Sequence, residues 1–172
     1  DMKSVVCTKL GNPELLEIKD TDKPQVSNDH VLVKVEAAGV NYPDALLVQG
    51  KYQVVVEPPF IPGNEVCGYI EEVGENVNLE IGTKVIGLPE IGGFSEYVSI
   101  NKSLIIPITE KVTSYAGASL PINYGTTYYA LKRRAQASRG ESLLILGGSG
   151  GIGTAAIQLG KIMGLKTIAA VG

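Results

Sequence analysis

The chain has 172 residues, of which 44% are hydrophobic and 19% charged, and its formal net charge is −3. This length predicts one domain and part of another, with enough residues for a hydrophobic core. The negative charge argues against nucleic acid or an anionic membrane as a partner, because both attract basic surfaces. No apolar stretch approaches the roughly 18 residues of a membrane span.

Short β-like runs separated by turn residues fill the chain from Met2 to about Ser99. One helical segment, 44–49, interrupts them and is closed by Gly50. So many short strands predict a compact β-barrel-like domain. The predicted strands are 4–10, 15–18, 31–35, 65–73, 84–88 and 94–100.

The hydrophobic pattern changes to a helical period after residue 110. A strand, a helix and a second strand then follow within about 30 residues, which predicts one βαβ unit of a parallel sheet. We expect a domain boundary near Asn123, giving domains 1–123 and 124–172. One βαβ unit leaves an open edge and a bare face, so the second domain is expected to be truncated. The predicted helices are 113–120, 124–134 and 154–163, and the predicted strands are 142–146 and 166–171.

A glycine-rich turn joins strand 142–146 to the next helix and fits G-x-G-x-x-G in the context that makes this pattern informative. The first glycine permits the turn, the second lets the backbone approach a pyrophosphate, and the third lets the helix pack on the strand. The N–H groups and dipole of the new helix then face the phosphates. The motif predicts a dinucleotide site formed by Gly148, Ser149, Gly150, Gly151, Ile152 and Gly153.

Few residues are available for metal or disulfide chemistry. Cys7 and Cys67 lie far apart and match no ligand spacing, so both are predicted to be buried or free thiols. His30, the single histidine, precedes an apolar run and is predicted to lie at the entry of a strand.

Four segments fall in the order and spacing of a known family: 37–44 (AAGVNYPD), 60–65 (FIPGNE), 93–97 (GFSEY) and 148–153 (GSGGIG). On these segments the chain resembles the medium-chain dehydrogenase/reductase superfamily, in which a GroES-like β-barrel catalytic domain precedes a Rossmann domain. The zinc members carry Cys where Asn41 stands and His where Asn64 stands, and a carboxamide is a poor zinc ligand. These differences, and a missing four-cysteine lobe, resemble the zinc-independent quinone oxidoreductase (zeta-crystallin-like) branch, so no metal is expected.

That resemblance implies a reductase that transfers hydride from NADPH to a quinone or an α,β-unsaturated carbonyl. It also implies that Asn41 reaches the nicotinamide side of the cofactor, that Thr126 lies beside the same ring, and that Tyr52 lines the cleft. Asn41 and Tyr52 are thus the implied catalytic residues. Asn41 equally fits a helix N-cap, with Pro43 and Asp44 in the first turn, and Tyr52 equally fits a surface aromatic at a turn.

The same resemblance implies a homodimer at full length and a cytoplasmic location, with a mitochondrial one as the alternative. It also favours NADPH over NADH. Strand 166–171 is compatible with this preference because it does not end in an acid, which would repel a 2′-phosphate.

Two alternatives remain open for the function. Enoyl-thioester reductases resemble the same zinc-free pattern, and turnover of a crotonyl thioester against a quinone would separate the two enzyme classes. In a different class, this chain is a non-catalytic binding or structural module, because an incomplete sheet could not hold the cofactor.

Overall fold

The computed structural model describes residues 1–172, which divide into two compact units, Asp1–Ser119 and Leu120–Gly172. The division falls just before Asn123, the boundary expected from the sequence. Each unit has its own sheet and its own helices. None of the helices combines the length and the hydrophobicity that a membrane span requires.

The first unit contains two antiparallel sheets. The smaller one pairs β1 (Met2–Val6) with β2 (Glu17–Thr21). The larger one has the strand order β6-β3-β4-β5-β7, with every neighbouring pair antiparallel. Its strands are β3 (His30–Ala38), β4 (Val66–Val73), β5 (Lys84–Gly87), β6 (Tyr97–Asn101) and β7 (Ile105–Pro107).

A core of β-branched side chains joins the strands of the five-stranded sheet. Val31, Val33, Val66 and Val85 are completely buried and pack with Ile70. Such side chains fit the pleated surface of a sheet, and each one fully removed from water contributes about 1.5–3 kcal/mol. The β-rich organisation predicted for this part of the chain is confirmed.

Some predicted strand bounds in the first unit are wrong. The strand predicted at 15–18 starts inside a 3₁₀ turn, Pro13–Leu15, because Pro13 supplies the fixed φ that begins a helical turn. The strand predicted at 94–100 begins only at Tyr97, since the Ser95 hydroxyl donates to the Gly92 and Tyr97 carbonyls and closes a local turn. Strand β7 was not predicted at all.

The helices of the first unit are short. Helix α1 (Tyr42–Val48) begins slightly before the predicted segment 44–49, and α2 (Ser114–Gly117) is shorter than the predicted helix 113–120. A second 3₁₀ turn, Lys102–Leu104, links β6 to β7.

The second unit contains the predicted βαβ arrangement. Strand β8 (Ser142–Leu146) pairs in parallel with β9 (Lys166–Ala170), and α4 (Gly151–Ile162) connects them. The preceding helical segment, predicted at 124–134, begins earlier and is mostly π-helical. Its parts are a π-helical stretch Pro121–Gly125, α3 (Thr126–Tyr128) and a second π-helical stretch Tyr129–Arg134.

Helix α4 covers one face of the parallel strand pair. Gly160 of α4 lies so close to Thr167 and Leu143 that an added Cβ would be 2.7 Å from the Thr167 Cγ2 atom. On the opposite face, Leu144 and its strand partner Ile168 are 62% and 56% exposed. Parallel sheets are normally covered on both faces, so this second face is bare, as expected from the sequence.

Candidate functional site

Five glycines, with different constraints, lie in the turn between β8 and α4 and in the first residues of α4. Gly147 has a φ of +71°, in the left-handed region that favours glycine. Gly148 is buried against β9, where an added Cβ would lie 2.8 Å from the Cβ of Ala169. Gly153 lies against the carbonyl oxygen of Gly147, which an added Cβ would overlap. The fold itself therefore requires glycine at these three positions.

Gly150 is under no such constraint. Its backbone is extended, with φ −80° and ψ 173°, which any residue can adopt. An added Cβ would meet only the Gly147 carbonyl oxygen, at an ordinary contact distance of 3.5 Å. Gly150 is also exposed, at the N-cap of α4. The space that a side chain would fill at Gly150 is suited to a bound group that must approach the backbone.

The first turn of α4 follows Gly150 directly and supplies backbone N–H groups beside it. Ser149, Gly151 and Ile152 are exposed, as Gly150 is. An α-helix leaves its first N–H groups without intrahelical acceptors, and its dipole adds a partial positive charge at this end. The turn therefore has the chemistry to bind an anionic group such as a phosphate.

The segment before the turn packs against it within the same unit. A Cβ on Gly151 would lie 2.7 Å from Oδ1 of Asn123, so the Asn123 carboxamide rests on the start of α4. Thr127 is 3% exposed and its hydroxyl donates to the Asn123 carbonyl at 2.7 Å. Its neighbour Thr126, at the start of α3, is exposed. The structure thus places Thr126 on a segment that is held against the glycine turn.

Asn41 lies in the first unit, at the N-cap of α1. Its backbone N–H donates to Oδ2 of Asp44 at 2.7 Å, and the Asp44 N–H donates to the Asn41 carbonyl oxygen at 3.0 Å. Asp44 and Asn41 form a capping box at the start of the helix. The N-cap interpretation of Asn41 is therefore confirmed, and it leaves a cofactor contact by the same residue as a separate expectation.

Asp44 is itself an unusual helix-capping residue because it is 5% exposed. Burial raises the pKa of its carboxyl group above the ordinary value of 3.8, and hydrogen bonds from the Asn41 and Gly63 backbones partly oppose that effect.

Glu65 is the residue at this site that the sequence analysis missed. It is 1% exposed, and its Oε1 accepts a hydrogen bond from Nδ2 of Asn41 at 2.7 Å. The contact joins residues 24 positions apart, which no local pattern reveals. Its available signals were its place at the end of the family segment 60–65 and its charge beside the apolar run of β4.

The other two positions singled out in the first unit differ in environment. Tyr52 lies in the loop after α1 and is 37% exposed. Asn64 directly precedes Glu65, and its Oδ1 is buried with no hydrogen-bond partner. A buried acceptor of this kind costs about 1–3 kcal/mol, so a donor from water or a ligand would be stabilised there.

The charged and sulfur-containing side chains are dispersed. No group of three or more His, Cys, Asp or Glu side chains is arranged to hold a metal ion. Cys7 and Cys67 are free and buried, and burial raises the pKa of both thiols. Thiols in such surroundings are poorly ionised and therefore weak nucleophiles.

Comparisons with known proteins cover nearly the whole chain. Residues 27–110 match the family model of the alcohol dehydrogenase GroES-like domain. Human quinone oxidoreductase is 36% identical over 99% of this chain, which covers 53% of that relative. The chain thus spans about half the length of the curated relatives it matches.

Solved structures show the same relationship. A probable oxidoreductase from Mycobacterium abscessus is 41% identical with a TM-score of 0.95, over 99% of this chain and 55% of that one. The quinone oxidoreductase of Thermus thermophilus, solved also in complex with NADPH, is 37% identical with a TM-score of 0.88, over 99% and 54% of the two chains.

Proposed function

Because the chain belongs to the medium-chain dehydrogenase/reductase superfamily, in its zinc-independent quinone oxidoreductase branch, we propose that the protein at its natural length is an NADPH-dependent reductase. Its proposed substrates are quinones or other α,β-unsaturated carbonyl compounds. The relatives named as quinone oxidoreductases support the acceptor, and the NADPH complex of the Thermus thermophilus enzyme supports the cofactor.

The observation that carries the cofactor proposal is the environment of Gly150. Contacts or backbone angles within the unit account for Gly147, Gly148, Gly151 and Gly153. They do not account for Gly150, since a Cβ would fit there without a clash. The site is exposed and lies at the N-cap of a 12-residue helix. A pyrophosphate that approaches the backbone at this point would explain why a glycine occupies the position.

The residues proposed to hold the cofactor come from two parts of the chain. Gly148, Ser149, Gly150, Gly151, Ile152 and Gly153 would form the turn that receives the phosphates, with N–H groups in the first turn of α4 donating to them. Asn41 and Thr126 would orient the nicotinamide end, and Tyr52 would line the substrate site. When bound, NADPH supplies the hydride, while these residues orient it and exclude water.

The partners of the protein follow as further proposals from the same family membership. We propose a small-molecule substrate, a homodimer at natural length and a cytoplasmic location, with no nucleic-acid partner because the net charge is −3. Sedimentation equilibrium of the purified protein tests the dimer, and a monomer at micromolar concentration would contradict it.

The decisive experiment for the function is turnover by the protein at its natural length. NADPH oxidation is followed with a quinone, an enone and a crotonyl thioester, each at the same concentration. We expect the highest kcat/KM with the quinone or the enone. Preference for the thioester would assign the enoyl-thioester alternative, and a lack of both NADPH binding and turnover would assign the non-catalytic module.

A further inference from the structure

The side-chain amide of Asn41 is held by a buried carboxylate. Its Nδ2 donates to Oε1 of Glu65 at 2.7 Å, and Glu65 is 1% exposed. A carboxylate oxygen can only accept, so it distinguishes the nitrogen from the oxygen of a carboxamide. A buried carboxylate is also costly unless hydrogen bonds satisfy it. The two side chains therefore constrain each other strongly.

The backbone before Asn41 is shaped around the same carboxylate. An added Cβ on Gly39 would overlap Oε1 and lie 2.6 Å from Cγ of Glu65. The Gly39 N–H also donates to the Glu65 carbonyl at 3.0 Å. Residues 39–41 thus pass directly over Glu65, and a side chain at position 39 would displace it.

The backbone of Asn41 is fixed independently of Glu65. Asp44 accepts from the Asn41 N–H at 2.7 Å and belongs to the next helix. Loss of the Glu65 carboxylate would therefore leave the main chain of Asn41 in place and remove the acceptor that its Nδ2 contacts. This separation distinguishes a positioning role from a general role in folding.

We propose that Glu65 is a positioning residue, which fixes the carboxamide orientation with which Asn41 meets the cofactor or the substrate. The proposal rests on the function proposed above, because it takes Asn41 to act at the nicotinamide end. Glu65 does not itself touch the substrate or the cofactor in this role.

The kinetic test is a double-mutant cycle in the protein at its natural length. Glu65→Gln keeps the size of the side chain but can present either an oxygen or a nitrogen to Asn41. We expect it to lower kcat/KM for NADPH-dependent turnover about tenfold in the wild-type background, and to have no further effect in an Asn41→Ala background. Equal losses in both backgrounds would overturn the proposal.

A matched control separates this effect from the loss of any buried hydrogen bond. Ser4 is 2% exposed and its hydroxyl is 2.8 Å from that of Thr21, far from Asn41 in the sequence. Ser4→Ala should change kcat/KM by the same small factor in both backgrounds. If the wild-type protein shows no NADPH-dependent turnover, the proposed function fails and the role of Glu65 fails with it. If the wild type turns over and the losses caused by Glu65→Gln and Asn41→Ala are additive, the Glu65 proposal fails and the proposed function stands.

A spectroscopic measurement of the wild-type protein does not depend on turnover. An amide proton that donates to a carboxylate resonates downfield and exchanges slowly. We expect one side-chain amide proton of Asn41, assigned by its loss in Asn41→Ala, to show both properties. Ordinary chemical shifts with rapid exchange would overturn the proposed orientation by Glu65.

Discussion

Gly153, in the first turn of α4, packs directly on the carbonyl oxygen of Gly147 at the start of the glycine turn. An added methyl group would overlap that oxygen, and a backbone atom cannot rotate away as a side chain can. We therefore expect Gly153→Ala to destabilise the protein by about 1–3 kcal/mol, the usual cost of overpacking. Urea unfolding of the variant and the wild type measures the difference.

Gly125→Ala is the matched control for that prediction. Gly125 has helical backbone angles, φ −62° and ψ −48°, and no heavy atom lies within 4 Å of an added Cβ. Alanine at such a site should stabilise the protein by about 0.5–1 kcal/mol. Equal destabilisation by the two substitutions would show that the contact between Gly153 and Gly147 is not the cause.

Gly150→Ser should separate binding from folding. The substitution adds a Cβ where the structure has room for one, and serine is at least as good an N-cap as glycine. We expect stability to stay within about 0.5 kcal/mol of the wild type, while NADPH affinity falls at least tenfold, about 1.4 kcal/mol. Fluorescence titration gives the affinity, and an unchanged value would remove Gly150 from the cofactor site.

The glycine turn could be predicted from the sequence because its signals are local. A strand, five closely spaced glycines and a helix are adjacent in the chain, and the same residues form β8, the turn and α4. The helical segment before β8 was predicted only approximately. Its hydrophobic period indicated a helix, but the period does not distinguish α-helical from π-helical turns, so the stretches Pro121–Gly125 and Tyr129–Arg134 were missed.

The Asn41–Glu65 contact shows what local patterns cannot reveal. The N-cap role of Asn41 was one of two interpretations open from the sequence, because Pro43 and Asp44 lie in the first turn that follows it. The partner of its side chain lies 24 positions away and is brought near by the fold of the first unit. The sequence marks Glu65 as the end of the family segment 60–65 and as an acid next to an apolar strand, but neither feature reveals that it is buried against Asn41.

Two adjacent threonines provide a test of the helical segment that precedes β8. Thr127 is 3% exposed and donates to the Asn123 carbonyl, so Thr127→Val should cost about 0.5–1.5 kcal/mol of stability. Thr126 is exposed, and Thr126→Val should leave the unfolding free energy unchanged. If Thr126 orients the nicotinamide, Thr126→Val should lower kcat/KM severalfold even though stability is unchanged. Unchanged kinetics with Thr126→Val would remove that role.

The raised pKa of Asp44 predicts a pH dependence of stability with a definite sign. The folded state binds this proton more tightly than the unfolded chain, so the contribution of Asp44 to stability falls as pH rises from its ordinary pKa of 3.8 to its pKa in the folded state. Asp44→Asn should abolish that slope, because the residue no longer titrates. Urea unfolding at several values between about pH 3 and 6 measures it.

Asp29 serves as the control, because its contribution to stability changes with pH in the opposite direction. A hydrogen bond from Lys102 lowers the pKa of the exposed Asp29 carboxyl group, so its contribution to stability is present above the ordinary pKa and is lost as pH falls. Asp29→Asn should remove a rising slope where Asp44→Asn removes a falling one. The same change of slope in both variants would contradict the assignment to Asp44.

The end of β9 bears on the choice between NADPH and NADH. Rossmann domains that select NAD place an Asp or Glu at the end of the second strand, where it binds the ribose hydroxyl and repels a 2′-phosphate. Here Ala170 pairs with Leu146 at the start of the glycine turn, and the Gly148 N–H donates to the Ala170 carbonyl at 3.0 Å. The last residues of β9 and the two that follow it carry no acid.

We therefore expect the protein at its natural length to bind NADPH at least tenfold more tightly than NADH, a difference of about 1.4 kcal/mol. Small residues leave room for the phosphate at the end of β9, and family membership supports the preference. Val171→Asp places a negative charge at a 66% exposed position there, and should weaken NADPH binding more than NADH binding. Fluorescence titration with both cofactors measures the two affinities. Equal affinities or tighter NADH binding would refute the preference while leaving the reductase proposal intact.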